Sequence, residues 1–305
     1  MAYDGPMVNL VLLLFCLVIG FLLRVSKRLP ENAASTLSAL ILHVPLPAMI
    51  ILSIPRLEWS FALISLCLVA WIIFAASFLF FRWLGPKLGW DQKVIGCLIL
   101  TGGLGNTAFV GFPIIETFFG KESLKHAILL DQAGSFLIAS SLGIWVATFY
   151  AHGKMPAKEL FKRVISFPPF VAFSFSLLLS AFTWQASGDV EILLEKLSSL
   201  LAPIALITVG LQLKFEGMKE DAKYLLAGLG FKLFFAPLLI FGLYHLGGVP
   251  EKFFRVAVME AAMAPMTVAY ILASTHGLHP RLAGKMLGLG VPISFLTLTL
   301  WYYFL

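Results

Sequence analysis

Charge is what this sequence has least of: 12% of its 305 residues are Asp, Glu, Lys or Arg, against 60% hydrophobic. A soluble domain carries about a quarter charged residues, so this composition excludes an ordinary water-facing surface. Cysteine is scarce as well. Cys16, Cys67 and Cys97 are odd in number, lie inside apolar runs and have no metal-ligand spacing. They read as packing residues, and neither a disulfide framework nor a metal site follows from them. His43, His245, His276 and His279 also lack ligand spacing, so no metal is assigned. No H-E-x-x-H, G-x-S-x-G or paired-aspartate motif occurs, which argues against an intramembrane enzyme. No P-loop occurs either, which argues against an ATP-driven pump. The formal net charge of +6 does not imply nucleic acid, because the bases fall in short clusters between apolar runs. That is the pattern of membrane topology signals.

Apolar runs are what the chain has in abundance. They lie near 7–23, 33–54, 60–84, 93–119, 126–150, 164–184, 192–213, 223–247, 253–275 and 282–305. Each approaches or exceeds the ~20 residues a membrane-spanning helix needs, which predicts an all-α polytopic membrane protein of ten spans. The first run is preceded by Asp4 and followed by Arg24, Lys27 and Arg28, the reverse of a cleaved signal peptide. With the N-terminus outside, fifteen bases fall in inside connections: Arg24, Lys27, Arg28, Arg82, Lys87, Lys93, Lys154, Lys158, Lys162, Arg163, Lys214, Lys219, Lys223, Arg281 and Lys285. Five fall outside: Arg56, Lys121, Lys125, Lys252 and Arg255. This asymmetry predicts a multi-pass protein of the inner (plasma) membrane with both termini external.

One stretch organises the chain: residues 101–116, T-G-G-L-G-N-T-A-F-V-G-F-P-I-I-E, inside the fourth span. Glycine costs about 1 kcal/mol and proline about 3 kcal/mol in a helix interior, so Gly102, Gly103, Gly105, Gly111 and Pro113 together predict a break. An unwound stretch survives in hydrocarbon only if buried in protein or lining a watery cavity, to which Asn106 and Thr107 would offer polar side chains. Pro113 suits the first turn of a new half-helix, whose positive end would form an anion site at mid-membrane. The plainer alternative is a proline kink packed on small residues.

The inside linker at 151–163 divides the chain into repeats of five spans, 1–150 and 164–305. Five is odd, so the second repeat enters the membrane inverted. H-V-P-L-P-A-M-I-I-L in the second span is weakly similar to L-A-P-I-A-L-I-T-V in the seventh. The break near 105–113 has a counterpart near 261–267, A-A-M-A-P-M-T, with Pro265. Pro47 to Pro113 is 66 residues and Pro203 to Pro265 is 62. Paired interruptions in inverted halves point to a transporter's binding site.

G-N-T-A-F-V-G-F-P at 105–113 resembles the fourth-helix motif of the auxin efflux carrier family, and A-A-M-A-P-M-T-V-A-Y-I-L-A-S-T-H-G-L-H-P resembles its ninth helix and following turn. This family of plant PIN-type carriers and bacterial organic-acid permeases lies within the bile acid–arsenite–riboflavin type transporter superfamily. The resemblance spans nearly the whole chain, and the short central loop implies a bacterial-type permease. It implies crossed broken helices in the fourth and ninth spans, with a substrate carboxylate bound where they cross. Asn106 then corresponds to the substrate-contacting asparagine and Pro113 to the crossover proline. Gly105, Thr107, Pro265 and Thr267 complete the implied substrate site. A homodimer is compatible with the family. The plant carriers' aspartate–lysine pair in the third span has no counterpart, because 60–81 carries no charge.

Ionisable groups at membrane depth cost ~2.5–3.5 kcal/mol or more and need an explanation. Glu260 lies eight residues past Lys252, about 12 Å into the ninth span at 1.5 Å per residue. Beside an anionic substrate it must be protonated, paired or bound to a cation, which makes it the first candidate for ion coupling; a structural hydrogen bond is the alternative. Asp131, beside Gln132, either joins the same cluster or caps the bundle's outer end. Glu116 falls on the first turn of a half-helix starting at Pro113, where a carboxylate suits the dipole. Lys232 either balances an acid or snorkels to the inner interface. The expected function is secondary transport of small organic anions, auxin-like weak acids or dicarboxylates, by alternating access and without a cofactor beyond a coupling H+ or Na+. The alternatives are a sodium-coupled bile-acid-type symporter and a non-transporting membrane sensor of the same fold. The implied partners are the anion and the lipid bilayer, with no nucleic acid.

Overall fold

Backbone polar groups in hydrocarbon must be paired within the chain, and helices do this locally. In a computed structural model that describes residues 6–30, 32–57, 61–152, 168–213 and 220–305, helix is accordingly the dominant structure. Before residue 153 lie α1 (Pro6–Val25), α2 (Ala33–His43), α3 (Pro45–Ser53), α4 (Phe61–Lys87), α5 (Gln92–Gly103), α6 (Phe112–Phe119), α7 (Lys121–Leu130) and α8 (Ile144–His152). Beyond it come α9 (Pro168–Ala181), α10 (Gly188–Ser199), α11 (Leu201–Gln212), α12 (Ala222–Gly230), α13 (Ala236–Leu246), α14 (Glu251–Ala261), α15 (Thr267–Thr275) and α16 (Pro280–Phe304). Wide π-type turns at Thr107–Gly111, Asp131–Phe136, Ala139–Gly143 and Phe231–Phe235 continue several of these into longer rods.

Among the described residues, six helical rods are long and apolar enough to cross a membrane: Ala33–Arg56, Leu63–Lys87, Lys121–Ala151, Gly188–Gln212, Ala222–Leu246 and Pro280–Phe304. Large apolar side chains such as Leu79, Phe182, Leu226 and Leu296 stand exposed on the outer faces. That is costly in water and natural in lipid. The protein is therefore a polytopic helical membrane protein. The linker expected at 151–163 lies, from residue 153 onward, outside the described residues, as do Lys154, Lys158, Lys162, Arg163, Lys214 and Lys219.

Packing separates the helices into two groups. In one, α1 lies along α11, and α3 packs on α9 and α10. Gly20 and Gly210 set the closeness of the first contact: a Cβ on Gly210 would fall 2.2 Å from the Leu17 carbonyl oxygen, and one on Gly20 would fall 2.1 Å from that of Ile207. Without a hydrophobic force between helices in lipid, such small-residue contacts let backbones approach and gain dispersion energy. In the other group, α4 packs on α5, the turn after α7 and α14, while α16 packs on α5, α12 and α15. The second group contains both interrupted helices.

Candidate functional site

α5 stops at Gly103, and the chain resumes helix at Thr107. α14 stops at Ala261, and α15 starts at Thr267. The two gaps cross. Asn106 N–H donates to the Ala264 carbonyl at 2.8 Å and Met266 N–H donates to that of Leu104 at 2.9 Å, pairing Gly105 with Pro265 in a short antiparallel bridge. Each break thus satisfies the other's freed backbone groups, which lipid cannot do. The approach is close enough that a Cβ on Gly290 of α16 would lie 2.5 Å from Pro265 Cδ.

Four helix ends meet here. Those beginning at Thr107 and Thr267 turn their positive ends inward, and α5 and α14 turn their negative ends inward. On the positive side, Asn106 caps its helix: Oδ1 accepts from Phe109 N–H at 3.2 Å. Its Nδ2 is buried with no hydrogen-bond partner, and so are Gln132 Oε1 and Thr267 Oγ1. All three residues line a cavity of about 90 Å³, shared with Ser38, Leu42 and Leu46 from the first packing group and Phe109 and Ile271 from the second. Orphaned buried polar atoms are rare and costly, so three of them on residues that line one cavity mark a candidate binding place.

The ionisable groups gather towards the negative side, although Asp131 also lines the cavity beside Asn106 and Gln132. Glu260 is 1% exposed, and neither carboxylate oxygen has a hydrogen-bond partner. Lys232, also 1% exposed, donates from Nζ to the Ala261 carbonyl at 2.9 Å. Asp131 Oδ1 accepts from Thr107 Oγ1 at 2.5 Å and Oδ2 accepts from Gln132 Nε2 at 2.7 Å. Thr107, Lys232 and Glu260 line a void of about 10 Å³ with Gly105 and Ser135. Among the described residues no cluster of three His, Cys, Asp or Glu suits a metal.

Asn106, Gly105, Pro265, Thr267, Glu260, Asp131 and Lys232 therefore come together at the crossing. Lys232 does not snorkel, and Asp131 does not cap the outer end. Three expectations need correction. The helix breaks at residues 104–106 and not at Pro113, because Asn106 supplies a cap that starts the new helix at Thr107. Pro113 sits inside that helix, just past the wide turn Thr107–Gly111, and pairs with nothing at the crossing. Glu116 consequently lies far along the half-helix, where it lines a separate cavity with Arg56, Lys121, Lys125 and Glu195. Thr107 turns its hydroxyl to Asp131 and away from the larger cavity.

Sequence reasoning missed Ser38, Phe109, Gly111, Ile271 and Gly290. The run G-L-G-V-P at 288–292 carried a signal for Gly290, since glycine in a helix often marks close backbone approach. A Cβ on Gly111 would meet Glu260 Oε2 at 2.6 Å, so this glycine makes room for the carboxylate.

A polytopic bundle with two broken helices crossing around unpartnered polar groups has the build of a membrane transporter. Comparison with known proteins bears this out. A family model described as "Membrane transport protein" matches residues 6–302, and the chain belongs to that family, the auxin efflux carrier family. Its relatives include an "Uncharacterized transporter" of Methanothermobacter thermautotrophicus, 26% identical over 99% of both chains. An "Uncharacterized transporter" of Methanocaldococcus jannaschii is 26% identical over 98% of this chain and 99% of its own. A "Putative malonate transporter" of Rhizobium meliloti is 22% identical over 95% of this chain and 93% of its own.

Proposed function

We propose that this protein is a secondary transporter of small organic anions that binds a substrate carboxylate on the positive side of the crossing and moves it by alternating access. The observation that carries this reading is the buried, unpartnered Nδ2 of Asn106, a residue that lines a cavity at the start of one half-helix, with Thr267 at the start of the other. Two helix ends and uncommitted donors suit a carboxylate, and charge-assisted hydrogen bonds to it are the stronger kind. The cavity lies between the two packing groups, so sliding of one group past the other would carry it across. On this reading the chain has ten spans in two inverted repeats, 1–150 and 164–305, and works in the inner membrane with both termini external. Small dicarboxylates are the first substrates to try, since one relative is named for malonate. Auxin-like weak acids come next.

Uptake of radiolabelled malonate and indole-3-acetate into proteoliposomes tests the proposal. Saturable uptake that competing anions inhibit is expected. Saturable binding with no flux of any anion would favour a membrane sensor instead. A sodium-coupled symporter is the less favoured transport reading, because the ammonium of Lys232 already sits on the Ala261 carbonyl.

A further inference from the structure

The negative side of the crossing has the chemistry of a cation site. The last turn of α14 directs its carbonyl groups and the negative end of its dipole to this point. Glu260, on the same turn, adds a carboxylate with no hydrogen-bond donor, and Asp131 lies within electrostatic range of it. An uncompensated carboxylate in such a place is strongly destabilising. Lys232 brings a balancing charge without touching the carboxylate: it reaches in from the wide turn Phe231–Phe235 and sets its ammonium on the Ala261 carbonyl, within electrostatic range of Glu260. Gly105 leaves the room: a Cβ there would lie 2.9 Å from Lys232 Nζ.

We infer that Lys232 is a tethered cation, holding a monovalent-cation place on the carbonyl end of α14 beside Glu260. This deepens the transport reading, and rests on it for one consequence: substrate movement needs no sodium. A compact ammonium with three donors matches a small monovalent cation in charge and in its taste for carbonyl and carboxylate oxygens. Removing the side chain should therefore leave a vacant site that a free cation can occupy.

The test reads thermal unfolding of the purified full-length protein in choline, sodium or methylammonium chloride at equal ionic strength. The wild type should melt at the same temperature in all three. Lys232→Ala should melt lower in choline and recover in sodium or methylammonium, by roughly 2–4 °C at about tenfold excess over the dissociation constant. Lys232→Ala/Glu260→Gln, with neither charge, should fold and be blind to the cation. A sodium-specific rise in the wild type would overturn the inference, since the amine would then not fill the site. So would a Lys232→Ala protein that ignores both cations or cannot be recovered folded in either. A sodium response persisting in the double variant would place the response elsewhere and equally overturn it. None of these readings uses a transported substrate, so failure here leaves the transport proposal standing, and failure of uptake leaves this one standing.

Discussion

At Asn106 one side chain has two duties that substitutions can separate. Its oxygen caps the helix that starts at Thr107, and its nitrogen is buried without a partner on a side chain that lines the cavity. Loss of a cap costs about 0.5–2 kcal/mol, so Asn106→Ala should lower both stability and substrate binding. Serine also caps, so Asn106→Ser should keep a melting temperature near the wild type. Its shorter side chain no longer presents the donor, and a hydrogen bond to a charged group is worth ~1.5–3 kcal/mol, so malonate affinity should fall about tenfold or more. Binding isotherms beside melting curves decide this, and unchanged affinity in Asn106→Ser would sink the anion site. Pro113 lines neither cavity at the crossing, so Pro113→Ala should alter that affinity by less than about twofold. The importance of Asn106 was legible in the sequence, because a polar residue among glycines in an apolar span has few other reasons to be there. The role of Pro113 was misread because a proline tolerated within a helix and a proline that starts one look alike in one dimension.

Helix interruptions were legible at the level of elements, but their positions were not. Glycine and proline flagged breaks near 105–113 and 261–267, and the helices are interrupted in both stretches. Which residue ends a helix depends on what caps the next one, and on partners from distant sequence such as Ala264 for Asn106. The partners of Lys232 were hidden for the same reason: the Ala261 carbonyl is 29 residues away. Helix-to-helix contacts left even less trace. Gly20 and Gly210 are unremarked in the sequence, yet they allow α1 and α11 to touch backbone to backbone. Gly210→Val should therefore separate these helices, since a Cβ 2.2 Å from a carbonyl oxygen must push the backbone away. We expect a melting temperature lower by several degrees, from overpacking of about 1–3 kcal/mol. Gly210 itself lines neither cavity at the crossing, so malonate affinity in the protein that remains folded should fall by less than about tenfold. Equal thermal stability would show that α1 and α11 are not in close contact in the membrane.

For the whole molecule, composition sufficed to make lipid the solvent, but the charge balance at the centre needed the three-dimensional arrangement. Asp131, Lys232 and Glu260 come from three separate segments, and the crossing gathers them. Two carboxylates and one ammonium leave one excess negative charge if all are ionised. A substrate anion adds another. At an effective dielectric of about 20, two like charges ~6 Å apart repel by roughly 3 kcal/mol, enough to favour taking up a proton with the substrate. The bound state then holds more protons than the free state, so acidification should strengthen binding and alkali weaken it. For one proton the limit is about tenfold per pH unit, and by reciprocity the substrate must raise proton affinity equally. Sodium should have no such effect, since the tethered ammonium holds the cation position. Malonate affinity should be measured at pH values above those where malonate itself titrates, together with proton uptake on mixing. Glu260→Gln fixes the neutral state, so it should bind at least as well as the wild type with a flattened pH slope. It should also exchange malonate for malonate but fail to accumulate it against a pH gradient. Glu116→Gln, outside the cluster, should behave as the wild type. If the slope survives in Glu260→Gln and vanishes in Asp131→Asn, the proton belongs to Asp131. If it survives in both, proton coupling through these carboxylates is wrong, and the ammonium alone must balance the substrate.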